Sequence, residues 1–449
     1  MTSTIQGVKE EKRPGHWLGS ARTWAESRRG EPSFLADLRR EGLETFQEIG
    51  FPTTRDEEWR HTNVAPIVRR RYRRPEGLPE IALQQLGPFS YTDCTQLVFI
   101  DGHYSEEFST LLDLPEGTIV EPMSTALTEH TDLVSDHLGR YADISELAFS
   151  ALNNVHFEEG AFIYVPKSEI VTDPIHILYV FTEQEERQVT WPRNLFVMGE
   201  NSQATLIESY AGLGRGGYLT VPVTELAAGD YSVVEHYKLQ QESIEAAHLA
   251  YWQLHMGHST TVTSQNVSLG GGFVRNDIRT FLAEEGGDCT LDGLYLTKGE
   301  QFVDNHMLAE HAAPNCRSFE LYKGILDESS RAVFNGLIHV HKGAQKTDGV
   351  QSNRNLLLSK DALVNSNPQL LIFADDVKCT HGSTVGQLDR DALFYLRSRG
   401  IGEEAARSLL IYAFASEFVQ KIQFEPVRKD LEEFLFTRLP KGEIVRQAV

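Results

Sequence analysis

Thiols are scarce in this sequence: 449 residues hold four cysteines, Cys94, Cys289, Cys316 and Cys379, with no Cys-x-x-Cys spacing among them. That scatter argues against a zinc ribbon, a thioredoxin-type motif or a disulfide framework. Reduced thiols in a cytoplasmic protein are the expectation. Long apolar runs are missing as well. No stretch of about 18 apolar residues occurs, so no membrane-spanning helix is expected, and the opening MTSTIQGVKEEKRPGHW holds no apolar segment suited to a secretion signal. Basic charge is in deficit: 42 Lys and Arg against 64 Asp and Glu leave a net charge of −22. This argues against nucleic acid or anionic membrane as a general partner. The local exception is RRRYRRP, with Arg69, Arg70, Arg71, Arg73 and Arg74, read as a basic edge facing acidic surface of the same protein or a partner.

Catalytic signatures are absent too. SLGGGFVRND is followed by no G-K-[ST] and opens no helix, so Gly270, Gly271 and Gly272 suit a tight turn, not a phosphate cradle. There is no G-x-S-x-G, no H-E-x-x-H and no Rossmann fingerprint.

What is present is a sizeable apolar fraction, 41%, ordinary for a globular protein and long enough here for two or three domains. Residues 1–89 read as a helical region. In PSFLADLRREGLETFQEIGFP, Leu35, Leu38, Gly42, Phe46 and Ile49 recur at spacings of three and four, and Gly50 and Pro52 close the helix. From 90 to 388 the texture changes to short β-branched and aromatic runs, such as PIHILYVFT and RAVFNGLIHVHKG, punctuated every eight to fourteen residues by Gly, Asn, Asp or Ser. About fifteen strands with no helix-length segment between them fit a solenoid better than a sandwich. From 389 to 449 the period is helical again. DRDALFYLRSRG ends at Gly400, a suitable C′ glycine. In the next helix Leu410, Phe414 and Phe418 form one stripe and Ile411, Ala415 and Ile422 the adjoining one, a face broad enough to suggest a docking surface for another protein.

Candidate ligands fall in three places. In FADDVKCTHG, strand alternation puts Asp375, Val377, Cys379 and His381 on one face. A thiolate beside an imidazole suits iron or zinc, but two ligands leave a site incomplete, so other residues, even another chain, would have to supply the rest. His339 and His341 form the H-x-H that begins a cupin metal motif, yet Gln345 and Lys346 stand where its glutamate belongs, and a polar strand face is the reading. His306, His311 and Cys316 are spaced by fives, which suits neither one strand face nor one helix face.

The stretch PQLLIFADDVKCTHGSTVGQLDRDALFYLRSRGI, with ALNNVHFEEGAFIYVPK, HAAPNCRSFELYKGIL and VFNGLIHVHKGAQKTDGVQSNRNLLLS, resembles the SufB/SufD family of iron–sulfur cluster assembly scaffolds. The N-terminal RDEEWRHTNVAPI makes it most like SufD, as does the shortage of further cysteines. The resemblance implies a mainly β fold: a right-handed parallel β-helix core with helical N-terminal and C-terminal regions. It implies a non-catalytic subunit that pairs end to end with a SufB-type scaffold and docks a SufC-type ATPase through its C-terminal helices, Leu410, Phe414, Phe418 and Ile422 among them. It implies that Cys379 and His381 meet iron or a nascent cluster at the partner interface, transiently, with nothing held tightly by this chain alone. Complexes of the family can also carry reduced flavin, but no flavin motif is present and no residue is assigned to it. Two rivals stand beside this reading: a SufB-like chain forming its own homodimer, and a β-helix carbohydrate lyase using Asp375 and Asp376.

Overall fold

The computed structural model describes residues 15–28 and 30–448; the leading segment read above for a signal lies outside them up to residue 14. Helices Gly15–Ser27 and Ser33–Ile49 open the described chain. The second buries Leu35, Leu38, Gly42 and Phe46, the apolar stripe that the sequence spacing marks. Gly42 allows close approach: a Cβ there would sit 2.5 Å from the Ala151 carbonyl oxygen on the helix Ala148–His156.

The strands follow. β1 (Thr95–Ile100) and β2 (His103–Tyr104) pair antiparallel, as do β3 (Ile119–Pro122) and β4 (Ala161–Val165). Next come β5 (Ile175–Phe181), β6 (Val189–Thr190), β7 (Arg193–Met198), β8 (Gln203–Gly212) and β9 (Leu219–Thr220). Then follow β10 (Val223–Ala228), β11 (Val233–Gln241), β12 (Ala247–Met256), β13 (Thr261–Ser268), β14 (Phe273–Leu282) and β15 (Asp288–Thr297). The winding ends with β16 (Phe302–His311), β17 (Arg317–Leu326), β18 (Arg331–Val340), β19 (Asp348–Leu357), β20 (Leu363–Ile372) and β21 (Lys378–Gly386). From β5 onward all pairing is parallel, and alternate strands fall into two sheets, one ending in β21 and the other in β20. The fold is a parallel β-solenoid with helices at both ends. One coil takes about thirty residues: Val233 pairs with Gln203, and Lys378 with Asp348. The two sheets enclose a core of aliphatic and aromatic rungs, among them Leu206, Val262, Leu291, Tyr295 and Phe334.

The glycine triplet turns the chain between β13 and β14. Gly271 has φ +76°, and a Cβ on Gly270 or Gly272 would lie 2.3 Å from the carbonyl oxygens of Glu242 or Ile244, so the adjacent coil leaves no room for side chains there.

Two sequence expectations need correction. The strand region is interrupted by helices Met123–Glu129, Thr131–His137 and Ala148–His156. The last of these is nine residues long and buried at every residue, its polar Asn153 donating to the Pro192 and Val221 carbonyls, so it shows the sequence no long amphipathic stripe with a solvent-facing side. The C-terminal helices also differ from the expected free face. Helices Glu403–Val419 and Glu425–Arg438 lie against the outer face of the first sheet. There Ile411, Tyr412, Ala415, Phe418, Val419 and Ile422 close over Tyr237, Leu239, Val267, Leu294 and Ile325. Lys421 reaches the buried Asp292 at 3.0 Å, and Arg354 reaches Glu417 at 3.0 Å. Phe418 and Ile422 are fully buried in this chain's own core, so they offer no surface in this conformation. Leu410 and Phe414 are half-buried, the ring of Phe414 lying 4.4 Å from the Lys323 ammonium.

Candidate functional site: the open end of the solenoid

The two ends of the solenoid are built differently. At the first end the edge strands are short and antiparallel: β2, two residues long, lies on β1, and β3, four residues long, on β4. At the other end β20 and β21 have neighbours on one side only, so each presents a free row of backbone N–H and C=O groups. Part of the rim at this end is apolar and accessible: Leu371, Ile372 and Val385 are exposed and Phe373 is 57% exposed, among exposed polar side chains such as Asn367, Thr380 and Thr384.

Cys379 and His381 stand on β21, two residues apart and so on one face. Register settles which face. Cys379 ends a ladder that runs through Gly349, Ser318, Cys289, Val262 and Val234, whose deeper members belong to the interior core. Both side chains therefore point inward, at the mouth of the solenoid. Cys379 is half-buried against Ile338, Ala374 and Leu370. Burial pushes its thiol above the ordinary range, a backbone N–H from Gly349 opposes this in part, and Asp348 reinforces it; the sulfur is a thiol at neutral pH. His381 is exposed.

Behind His381 the interior is polar. Its register partners are Gln351 and then Glu320, and the Gln351 amide donates to Glu320 at 2.6 Å. Burial pushes the Glu320 carboxyl up to about 7, the Gln351 hydrogen bond notwithstanding. Ser383, two residues past His381, meets Ser366 at 2.7 Å, and Ser366 donates to Asn353 at 2.8 Å.

Cys379 and His381 belong to none of the clusters of three or more His, Cys, Asp or Glu ligand atoms found among the described residues. They are a pair, not a complete site. The expected alignment of Asp375 with them fails: β21 begins at Lys378, so both aspartates lie in the preceding turn. Asp376 is held by the preceding coil there: its carbonyl accepts from the Lys346 N–H at 2.6 Å, its backbone N–H donates to the Gln345 side-chain oxygen at 2.9 Å, and its carboxylate pairs with the Lys346 ammonium. No inward carboxylate pair of the kind a lyase needs is formed by these two residues.

The other candidates separate. His306 and His311 lie on opposite faces of β16: His311 is fully buried, its Nε2 2.9 Å from the Ser318 hydroxyl, while His306 faces outward toward Glu58 at 3.0 Å and Asp304 at 3.2 Å. Burial opposes the His306 imidazolium, but Asp304 and Glu58 outweigh it and hold its pKa up to about 9. With Arg275, whose guanidinium lies 3.6 Å over Trp59, this group fastens the RDEEWRHTN segment to the solenoid. Cys316 is buried with its thiol directed at the Glu284 carbonyl. The basic run meets acidic groups of this same chain: Arg74 pairs with Glu158 at 2.6 Å and Arg73 with Glu186 at 2.7 Å. His339 and His341 do come together, with a third residue that the sequence pattern does not show.

The helix that the sequence places after β21 is present and carries an exposed aromatic pair that the sequence reading does not single out. Asp389 caps the helix Arg390–Ser398 by accepting from the Asp391 and Ala392 N–H groups, and Gly400 ends it at φ +87°, as its placement in the sequence suggests. None of this helix is buried. Phe394 is 75% exposed, and Tyr395 beside it is 56% exposed.

Residues 180–414 match the family model for the SufBD core domain of SUF-system FeS cluster assembly, and residues 24–177 match that for the SufBD N-terminal region. The chain belongs to the SufBD family of iron–sulfur cluster assembly proteins, and within it lies close to SufD. It is 31% identical to Escherichia coli SufD over 403 residues, 89% of this chain and 92% of that one. It is 30% identical to an iron–sulfur cluster assembly SufBD family protein of Synechocystis over 91% of this chain and 92% of the relative. It is also 31% identical to the chloroplastic protein ABCI7 of Arabidopsis thaliana over 88% and 84%. No helix among the described residues is long and apolar enough to cross a membrane.

Proposed function

We propose that this chain is a SufD-type scaffold subunit of the reducing cytoplasm, without catalytic activity of its own. It pairs end to end with a SufB-type scaffold, β20 and β21 continuing into the partner's sheets. It docks a SufC-type ATPase through its C-terminal helices. The observation that carries the reading is the open end: two long strands each unpaired on the outer side, a rim that is partly apolar and accessible, and two inward side chains that need others to complete a site. A free edge of this kind is a template for another chain.

In this reading iron or a nascent cluster is cargo. Cys379 and His381 line the joint, and residues of the partner supply the remaining ligands. The raised thiol pKa keeps Cys379 protonated while the joint is closed; approach of a cation or of water at an opened joint favours the thiolate, the form that binds metal. ATP-driven closure of two docked ATPase subunits would pull on the helical ends of both scaffolds and open the joint. Phe394 and Tyr395 on the helix Arg390–Ser398, with the half-buried Leu410 and Phe414, are the accessible side chains for that docking. Phe418 and Ile422 act from beneath, by fixing the helices to the solenoid.

The test is a mixing experiment. The chain is combined with the SufB-type scaffold and SufC-type ATPase of its own organism, and the mass is read by light scattering after size exclusion. A 1:2:1 assembly of scaffold, ATPase and this chain supports the reading. A homodimer that ignores the SufB-type chain favours the alternative, a self-paired scaffold, because the same open end would then serve two copies. Cluster maturation at the wild-type rate by a His381→Ala variant would sink the ligand role.

A further inference from the structure

The H-x-H pair gains its missing carboxylate from the preceding coil. Glu310 on β16 is the register partner of His339 on β18, 29 residues away in sequence and adjacent in space. His341 follows the end of β18, its backbone N–H donating to the His311 carbonyl at 2.9 Å. Glu310 and His339 alternate with the core residues Ala309, Ile338 and Val340, so their side chains point out of the solenoid, opposite to Cys379 and His381.

The three groups converge. His341 Nε2 is 2.6 Å and His339 Nδ1 3.6 Å from Glu310 Oε1. The two imidazole centroids are 4.5 Å apart, and one ligand atom from each residue lies within 4.8 Å of the others. We propose that Glu310, His339 and His341 form a binding site for a divalent transition metal of borderline softness, Zn2+ or Fe2+, with the remaining coordination positions left to water. The donor set, two imidazoles and one carboxylate on one side, is the arrangement that suits these ions. Zinc binds nitrogen and carboxylate oxygen at about 2.0–2.2 Å, which places ligand atoms on a common ion about 3–3.5 Å apart. The present separations straddle that range, so small side-chain rotations complete the site.

A hydrogen-bonded surface pair alone would not need His339. It stands at 3.6 Å from Glu310, beyond a hydrogen bond, yet it is held between the His341 ring and the Phe373 ring, the latter 5.8 Å away edge-on. On loading, the ion replaces the His341–Glu310 hydrogen bond, and the proton of that imidazole nitrogen leaves to solvent if it is the protonated one. The site holds no thiol and is distinct from the Cys379–His381 pair. It does not depend on the scaffold reading. It lies one strand from the open end, since the next register partner of His339 is Leu371 on β20.

Cobalt is the first probe. The full chain, free of any purification tag and stripped with a chelator, is titrated with Co2+ and the visible spectrum recorded; Zn2+ and, under anaerobic conditions, Fe2+ are then used to displace it. The proposal expects one saturable equivalent, d–d bands without a thiolate-to-cobalt charge-transfer band, and displacement by Zn2+ or Fe2+. His339→Ala and Glu310→Gln should each weaken binding at least tenfold, the scale at which even outer-shell partners matter, while Cys379→Ser leaves it unchanged. Thermal unfolding provides the second readout: Zn2+ should raise the midpoint of the wild type and not of His339→Ala, whose metal-free midpoint should match the wild type. Absence of saturable binding, unchanged affinity in a His339→Ala/His341→Ala variant, or loss of the signal with Cys379→Ser would each overturn the proposal.

Discussion

Cys379 rests beside Gly349, its pairing partner on β19: a Cβ placed on that glycine would lie 3.5 Å from the cysteine sulfur and 3.4 Å from Ile338. The sulfur is therefore turned into the solenoid at its last coil, over a position where the previous coil has no side chain to cover it. The site's character follows: an inward thiol, half-buried, reachable only from the open end.

Thiol labelling checks this. Cys94, Cys289 and Cys316 are fully buried, while Cys379 is not. One thiol per native chain should react with an aromatic disulfide reagent, slowly at neutral pH and faster as pH rises toward the raised thiol pKa. Cys379→Ser should remove that phase and leave the three others to react only on unfolding.

The C-terminal helices separate folding from docking. Phe418 is fully buried, so Phe418→Ala should cost about 3–5 kcal/mol in denaturant unfolding. Phe394→Glu and Tyr395→Glu, on an exposed helix, should change stability by no more than about 0.5 kcal/mol and yet abolish binding of the SufC-type ATPase in a pull-down. Retained ATPase binding by the double variant would move the docking surface elsewhere.

Glu320 gives stability a pH dependence of predictable sign. Its folded pKa is about 7 against an ordinary 4.5. Below about pH 4.5 both folded and unfolded chains hold the proton; between 4.5 and 7 only the folded chain does, so its contribution to stability is lost as pH rises through that window. The loss amounts to roughly 3 kcal/mol. Urea unfolding across pH 5–8 should show the decline, and Glu320→Gln should flatten it.

The edge strands carry a prediction that leaves the monomer intact. Phe373→Lys and Val385→Lys place charges on exposed positions beside β20 and on β21, a device by which natural edges avoid pairing. The double variant should unfold within about 0.5 kcal/mol of the wild type and fail to join the SufB-type scaffold by size exclusion.

Much of this architecture was legible in the sequence because strands and amphipathic helices announce themselves locally. The stripe of Leu35, Leu38 and Phe46, the C′ position of Gly400 and the tight turn at Gly270–Gly272 all rest on neighbours in the chain. What could not be read depends on register between coils. Glu310 and His339 are 29 residues apart, and coil length drifts, for example from 30 residues between Gln203 and Val233 to 27 between Thr261 and Asp288. No fixed period therefore reveals which residues stack. The same holds for the C-terminal stripe: Phe418 and Ile422 are apolar because Tyr237, Val267 and Leu294 lie beneath them, and a sequence stripe does not say whether its partner is the same chain or another. The helix Ala148–His156 escaped for the opposite reason, being buried all round. Asp375 falls off the expected face because alternation holds only within a strand, and β21 starts three residues later.

The most direct test of the account is hydrogen–deuterium exchange of this chain with and without the SufB-type scaffold. The account predicts new protection concentrated in Leu363–Ile372 and Lys378–Gly386, where the edge amides find partners in the joined sheets. Protection confined to other strands, with β20 and β21 exchanging as in the free chain, would contradict end-to-end pairing and with it the shared site at Cys379 and His381.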